Sequence, residues 1–225
     1  DPSGGAGILS DIKVFENTGT YGFGVCSSLT FQNDIEFYNM EWLNFNQIIN
    51  QIKALLKFNI KSFKIGLIEN IDILEKVVLF IKENYPDSFI IWDPILKSSS
   101  GFTFHNSIKI PQSVYSNVDL LTPNYVEYSA MSENFKPFKN ILIKGGHKTQ
   151  NRAVDELITG NTKIEITGNV LESKYDKHGT GCVLSAAIAS YIALGFSIEE
   201  SCIKAKKHIE IFMLSCSSKL GYHTK

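Results

Sequence analysis

The sequence lacks several features that would point to particular functions. Its 225 residues include only four cysteines, and no two of them form a C-x-x-C pair, which disfavours a zinc ribbon or a thioredoxin-type site. No stretch of about 18 unbroken apolar residues is present, so we expect no membrane span. The 22 basic and 23 acidic side chains leave a net charge of −1, whereas a strong nucleic-acid binder needs a basic surface. We therefore expect neither a nucleic-acid nor a membrane partner.

Three further absences narrow the class of protein. Scattered, unpaired cysteines fit a reducing compartment, which favours the cytoplasm. No Walker A motif occurs, so the chain is not predicted to be a P-loop kinase. The first residue is Asp1 and not Met, and we expect that residues precede it.

The hydrophobic pattern predicts strands that alternate with helices. Apolar strands separated by helical segments indicate a mainly parallel sheet covered on both faces, which we interpret as one domain over residues 1–225. Strands are predicted over residues 22–30, 62–65, 89–92, 118–121 and 140–143, followed by a hairpin of 153–158 and 163–167. Helices are predicted over residues 6–18, 44–58, 71–84, 179–194 and 198–215. Polar turns follow several strands, and we expect them to converge on one cleft.

The strongest motif is the segment HGTGC at residues 178–182, which opens an alanine-rich helix. Glycines before a helix let backbone amides point at one spot, and these amides and the helix dipole hold an anion. Cys182 in the first turn would feel the same field, which favours the thiolate. The segment could thus combine a base for an alcohol with a cradle for a transferred phosphoryl group. It could equally be a glycine turn that caps a core helix with an inert cysteine.

The first seven residues, DPSGGAG, also open a helix with glycines. Alone, such a segment is typical of any tight turn. Asp11 lies one turn into this helix. It could belong to a solvated face, or it could face the cleft and bind a polar ring.

Four polar residues follow predicted strand ends. Asn124 and Glu127 share one face at a helix start, where the carboxylate could hold magnesium through water and the amide could touch phosphate. An acidic first-turn residue is also common at ordinary helix starts. Asp93 could be a second acidic group near a metal or a plain turn residue. Lys144 could place a point charge on nucleotide phosphates or lie on the surface.

The order of these motifs is typical of one family. The segments DPSGGAGILSDIKVF, SLTFQN, KIGLI, DPI, LTPNYVE, IKGGH and HGTGC follow one another between residue 1 and about residue 213. The chain resembles hydroxymethylpyrimidine/phosphomethylpyrimidine kinases, thiamine-biosynthesis enzymes of the ribokinase superfamily. The resemblance implies a three-layer α/β/α sandwich with a mainly parallel central sheet, and a homodimer. It also implies phosphorylation, with ATP and Mg2+, of 4-amino-5-hydroxymethyl-2-methylpyrimidine and then of its monophosphate.

The resemblance also implies roles for individual residues. Phosphoryl transfer mostly needs positioning and charge stabilisation, and the implied roles fall into pyrimidine binding, an anion hole, a base and a nucleotide–metal group. The residues implied to bind the pyrimidine are Asp11, Gln32 and Leu67. The anion hole is implied for Gly179, Thr180 and Gly181, and the base is implied to be Cys182. Lys144 and Asn124 are implied to bind the nucleotide, and Asp93 and Glu127 are implied to lie near magnesium.

The sequence begins inside the first motif of the family, so we expect that the first strand implied by the resemblance lies before Asp1 and is missing. Two residues also depart from the family pattern. Ser99 stands where the family often has a lysine before Ser-Gly, and Lys97 is displaced from that place. Leu67 replaces a frequent methionine but keeps the pocket apolar.

Two alternatives stay open. A pyridoxal kinase of the same superfamily would also phosphorylate a hydroxymethyl group on a nitrogen heterocycle. Gln32 favours the pyrimidine, because its amide can read an aminopyrimidine edge with both donor and acceptor. A catalytically silent binder of pyrimidine or nucleotide is disfavoured by the complete 178–182 segment, since a pure binder needs no base.

Overall fold

A computed structural model describes residues 1–96, 109–147, 153–169, 171 and 177–224 of the chain. The helices are α1 (Gly7–Thr18), α2 (Phe45–Lys53), α3 (Ile71–Asn84), α4 (Gln112–Asn117), α5 (Tyr125–Phe135), α6 (Thr180–Ala193) and α7 (Ile198–Leu214), with a 3-10 turn at Gly145–His147. The strands are β1 (Ser28–Gln32), β2 (Phe37–Trp42), β3 (Ser62–Ile65), β4 (Phe89–Trp92), β5 (Leu120–Leu121), β6 (Asn140–Ile143), β7 (Val154–Thr159) and β8 (Thr162–Thr167).

The central sheet is mainly parallel, as the sequence predicts. Its six strands lie in the order β3-β4-β5-β6-β7-β8, and neighbours from β3 to β6 are parallel. Strands β7 and β8 form the predicted antiparallel hairpin, which closes at Thr159 and Thr162. Because these four strands are parallel, the turns after β3, β4, β5 and β6 lie at one edge of the sheet.

Alternating residues of the strands supply two separate cores, one on each face. Ile91 and Leu120 pack with the buried face of α6, whereas Ile90 and Leu121 pack against the side of α3. Helices α1, α6 and α7 cover one face, and α2 to α5 cover the other. The architecture is thus the predicted three-layer α/β/α sandwich.

The predicted strand over residues 22–30 is wrong for most of its length. Only Ser28–Gln32 forms a strand, and it pairs with β2 in a separate two-stranded antiparallel sheet. The residues before it instead run close across α1, where a Cβ at Gly22 would lie 2.4 Å from the Phe15 ring and one at Gly24 2.4 Å from Ile8. The apolar run is therefore satisfied by packing on a helix and not by strand pairing.

Two other predicted bounds differ. The helix predicted over 44–58 ends at Lys53, and the strand predicted over 118–121 is reduced to Leu120–Leu121. Asn44 and Gln47 form a reciprocal capping box at the start of α2, which places the helix start where the pattern predicts it. In the part of the chain that the structure describes, no helix has the length and apolarity that a bilayer crossing requires.

Candidate active site

The two glycine motifs, at residues 1–7 and 178–182, lie in contact although they are far apart in the sequence. Gly179 has φ of +76°, and a Cβ built on it would lie 1.9 Å from the carbonyl oxygen of Gly5. A Cβ on Gly5 would in turn lie 2.6 Å from the ring of His178. The segments 1–7 and 178–182 therefore form a single backbone surface at the start of α6.

A contact between Asp1 and His178 holds the two segments together. The Asp1 carboxylate accepts hydrogen bonds from the backbone amides of Ser3 and Ala6 and lies 2.7 Å from His178 Nε2. Burial lowers the pKa of His178, and the Asp34 carboxylate of the β1–β2 turn acts in the opposite direction. The His178 ring thus joins the two motifs.

The start of α6 offers an anion site. Gly179 is the N-cap of α6, and the first amides of a helix have no partner within it. Lys144, at the end of β6, directs its ammonium toward this turn, since a Cβ on Gly181 would lie 3.3 Å from Lys144 Nζ. Free amides, the positive end of the helix dipole and a lysine cation therefore face the same space.

Cys182 lies in the first turn of α6 and is 9% exposed. Burial raises the pKa of its thiol, while the Lys64 ammonium and a hydrogen bond from the Gly7 amide act to lower it. The sequence favoured the thiolate from the helix field alone. The structure gives the opposite net direction, because the sulfur is buried as well as placed at a helix start.

Lys144, Asp93 and Ser185 form a buried chain of contacts between two strand ends and α6. Lys144 Nζ lies 2.6 Å from Asp93 Oδ1, and the Ser185 hydroxyl donates to Asp93 Oδ2 over 3.0 Å. Burial by itself would lower the pKa of Lys144, but Asp93 and Glu127 raise it, so the ammonium stays charged. The Asp93 carboxylate, 1% exposed, therefore orients the lysine that faces the anion site.

Asn124 and Glu127 form a reciprocal pair at the start of α5. Glu127 Oε2 accepts from the Asn124 amide over 2.7 Å, and Asn124 Oδ1 accepts from the Glu127 amide over 2.9 Å. Glu127 Oε1 also accepts from the Leu96 amide over 3.3 Å. Burial raises the pKa of Glu127, and Lys144 opposes this. The structure therefore bears out the helix-start interpretation and still leaves the carboxylate beside Lys144.

These carboxylates fit magnesium only through its water ligands. Within the described residues, no group of three or more His, Cys, Asp or Glu side chains could hold a metal ion. Asp93 and Glu127 both already accept hydrogen bonds through each carboxylate oxygen. Mg2+ commonly keeps several waters and binds substrate phosphates with one or two carboxylates, which is compatible with this arrangement.

Asp11 faces the interior and not solvent. Both of its carboxylate oxygens contact Lys64 Nζ, at 2.9 and 2.7 Å. Burial by itself would lower the pKa of Lys64, but Asp11, Cys182 and Asp93 raise it. Of the two interpretations of Asp11, the structure thus contradicts the solvated face, and the binding of a polar ring in the cleft stays a prediction. The sequence analysis missed Lys64, although a lysine between the apolar residues Phe63 and Ile65 of a predicted strand was a usable signal.

Gln32 belongs to the hairpin of β1 and β2, and Leu67 belongs to the turn after β3. Gln32 ends β1, and its amide donates to Thr30 Oγ1 over 3.0 Å. It belongs to the separate hairpin and not to the edge of the central sheet. The Ser27 hydroxyl donates to the Leu67 carbonyl, which joins the base of the hairpin to the turn after β3. Lys97 and Ser99, where the family pattern is broken, lie outside the described residues.

Fold and site together define a ribokinase-like kinase, with an anion site at a helix start, a buried thiol and a lysine at the end of a parallel strand. The family model for phosphomethylpyrimidine kinase matches residues 1–224. The chain belongs to this family.

Relatives and solved structures agree with that assignment. The hydroxymethylpyrimidine/phosphomethylpyrimidine kinase of Aquifex aeolicus is 33% identical, over 98% of this chain and 93% of its own. The crystal structure of phosphomethylpyrimidine kinase from Clostridium difficile 630 has a TM-score of 0.71 at 29% identity and covers 93% of this chain and 94% of its own. A Staphylococcus aureus pyridoxal kinase in complex with ADP has a TM-score of 0.80 at 20% identity, over 96% of this chain and 85% of its own, and shows the shared fold.

Proposed function

We propose that this protein transfers the γ-phosphoryl group of ATP to the hydroxymethyl group of 4-amino-5-hydroxymethyl-2-methylpyrimidine, and then phosphorylates the resulting monophosphate. The observation that carries the proposal is the joined surface of segments 1–7 and 178–182, which brings Cys182 and the Lys144 ammonium to one helix start. Such a surface stabilises a negatively charged group during transfer, and the family supplies the identity of the acceptor.

Different residues of the chain carry out different parts of the phosphoryl transfer. Gly179, Thr180 and Gly181 present backbone amides to the transferred group, and Lys144 with Asn124 holds the nucleotide phosphates. Cys182 accepts the proton of the attacking hydroxyl group, and because burial raises its pKa the rate should rise with pH. Magnesium would neutralise phosphate charge when bound, and Asp93 and Glu127 would meet it through water. In this proposal Asp93 also keeps Lys144 directed at the anion site.

The pyrimidine would bind between α1 and the hairpin. Asp11 supplies a carboxylate that Lys64 holds in place, Gln32 supplies an amide, and Leu67 lines the ring. An aminopyrimidine edge offers both donors and acceptors, which an amide and a carboxylate can match. Pyridoxal lacks that amino group and is the second candidate acceptor, because a pyridoxal kinase shares the fold.

The direct test is a kinase assay that follows ADP release with three acceptors: the hydroxymethylpyrimidine, its monophosphate and pyridoxal. We expect both pyrimidines to turn over well above pyridoxal. A preference for pyridoxal would move the assignment to vitamin B6 salvage. Turnover of none of the three would favour a silent binder.

Gln32→Ala tests the choice of acceptor within the site. We expect it to raise the KM for the pyrimidine about 10-fold or more and to leave the KM for ATP unchanged, because a lost hydrogen bond to a buried polar edge is expensive. Asn39→Ala is the matched control, since Asn39 is an exposed amide opposite Phe31 in the same hairpin. An effect confined to ATP would contradict the role of Gln32.

The remaining proposals concern the protein as a whole. We propose a single kinase domain over residues 1–225, a homodimer, a cytoplasmic location that suits its four free thiols, and no nucleic-acid partner. The outer face of the hairpin exposes Leu29 (50%) and Phe31 (45%), an apolar surface that a second copy could cover. Light scattering on wild type and on Leu29→Glu would test this, with a monomer expected only for the variant and a wild-type monomer contradicting it.

A further inference from the structure

Lys64 is a buried cation whose part in the proposed function is limited to holding Asp11 in place. It lies near the carboxyl end of β3, its side chain is 4% exposed, and its Nζ contacts both carboxylate oxygens of Asp11 at 2.9 and 2.7 Å. Burying a lysine is costly in desolvation, and even when the lysine is paired with a carboxylate, an apolar residue could often fill the same position in the strand at equal or lower cost. The position of the charge therefore calls for an explanation beyond packing.

The geometry of β3 and α6 directs this charge toward Cys182. The Ser62 hydroxyl donates to the Ala189 carbonyl over 2.7 Å, which fixes the face of β3 that α6 covers. Residues two apart in a strand share a face, so Lys64 projects to the same side about 6.6 Å nearer the sheet edge. Along α6, Cys182 lies about 10 Å from Ala189 in the same direction, within reach of a lysine side chain.

The other charged side chains around Cys182 do not take the place of the Lys64 ammonium. Asp11 from α1 and Asp93 from the end of β4 raise the pKa of the thiol, whereas Lys64 lowers it. Lys144 from the end of β6 is engaged by Asp93 at 2.6 Å. Lys64 is thus a cation that faces the thiol from the strand side and at the same time holds Asp11.

We propose that Lys64 is a positioning residue that couples the two halves of the site: it orients the Asp11 carboxylate for the pyrimidine and places a positive charge beside Cys182. This inference rests on the proposed function. In the transfer, the O–H bond of the acceptor breaks and its proton passes to the Cys182 sulfur. The acceptor oxygen bonds to the γ-phosphorus, and the bond from that phosphorus to the β–γ bridging oxygen breaks, its electron pair leaving with ADP. Lys64 favours the thiolate that must exist before this step.

The test compares Lys64→Met with Lys64→Arg on the full chain. For Lys64→Met we expect kcat at neutral pH to fall about 10- to 100-fold, the KM for the pyrimidine to rise, the KM for ATP to stay unchanged and the rise of activity with pH to move to higher pH. Lys64→Arg should restore most of the pH profile. Lys61→Met is the matched control, because Lys61 is exposed immediately before the same strand.

A titration without substrate separates this inference from the proposed function. Thiolate absorbance near 240 nm, read as the difference from the same protein with Cys182→Ala, reports the Cys182 proton directly. We expect Lys64→Met to move this titration to higher pH. The double variant Asp11→Asn/Lys64→Met removes both charges and replaces the single variant if that variant does not fold. We expect it to move the thiol titration in the same direction but by a smaller amount. An unchanged titration in the folded variant would overturn the inference, even if wild type phosphorylates the pyrimidine.

Discussion

Gly179 faces the carbonyl oxygen of Gly5 so closely that a Cβ on Gly179 would lie 1.9 Å from it. No side chain fits there, so the backbones of two distant motifs touch directly. The Asp1–His178 contact of 2.7 Å closes the same junction from its side-chain face. The anion site at the start of α6 therefore depends on residues 1–7 as well as on residues 178–182.

Gly179→Ala should damage this junction. A Cβ would strain a left-handed residue and also force the two backbones apart, so we expect kcat to fall at least 10-fold together with thermal stability. Gly19→Ala is the matched control, because Gly19 has φ of +88° and nothing within 4 Å of a Cβ. That variant should lose only about 1–2 kcal/mol of stability and keep its activity. Equal activity of the two variants would contradict the role of the junction.

Cys182→Ala tests the proposed base. General base catalysis contributes about 10²- to 10⁴-fold, so kcat should fall in that range while the Kd for ATP, measured by calorimetry, stays within about twofold. Because burial raises the thiol pKa, wild-type kcat should rise as the pH increases above neutrality, and the variant should lack this rise. Cys26→Ala is the control, since the contacts of Cys26 with Gln51 run through its backbone. A wild-type pH profile in Cys182→Ala would remove the thiol from the base role.

Asp93→Asn tests the buried pair with Lys144. Removing one partner of a buried ion pair leaves an uncompensated charge, so we expect a loss of about 3–5 kcal/mol in the free energy of unfolding. The KM for ATP should rise as well, because Lys144 loses the group that orients it. The pair of exposed Lys163 and half-buried Glu156, 2.7 Å apart, is the comparison, and Lys163→Met should cost at most about 1 kcal/mol. Similar losses in urea unfolding of the two variants would argue against a buried, oriented pair.

The lowered pKa of His223 predicts that the folded protein loses stability in acid. Burial, His208 and Lys13 lower its pKa to about 4, whereas an unfolded histidine titrates near 6.5. Between these values the unfolded chain binds a proton that the folded chain does not, so the free energy of unfolding falls as the pH drops from about 6.5 to about 4.

His223→Phe should flatten this part of the stability profile. A phenylalanine ring can keep the contact with Phe212, whose ring centroid lies 4.8 Å from that of His223. Urea unfolding at a series of pH values measures the effect, with Tyr222→Phe as an exposed neighbour for control. A profile as steep in His223→Phe as in wild type would contradict the assignment.

Much of the central sheet could be predicted because its strands carry strong local signals. β3, β4 and β6 match the predicted ranges, since β4 and β6 are short, mostly apolar runs that stop at polar turns and β3 stops at Gly66. The hairpin of β1 and β2 could not be predicted in the same way. The β2 sequence FYNMEW lacks a clean alternation, and the residues before β1 are satisfied by contact with α1.

The same distinction holds for the candidate site: residues with a local sequence signal could be predicted, whereas contacts between distant residues could not. The motif at 178–182 and Lys144 carry signals within a few residues, and their placement at one helix start follows from the sheet order. The pairing of Lys64 with Asp11 joins residues 53 apart, and Ser185 reaches Asp93 across 92 residues. The raised pKa of Cys182 also depends on burial, which the motif alone does not reveal.

The most direct measurement of the central proposal is a ³¹P NMR time course of the protein with ATP, magnesium and 4-amino-5-hydroxymethyl-2-methylpyrimidine. Our account predicts a phosphomonoester signal that appears first and is then replaced by the two signals of a diphosphate ester, with neither formed at a comparable rate by Cys182→Ala. Conversion of ATP to inorganic phosphate without any ester of the pyrimidine would contradict it.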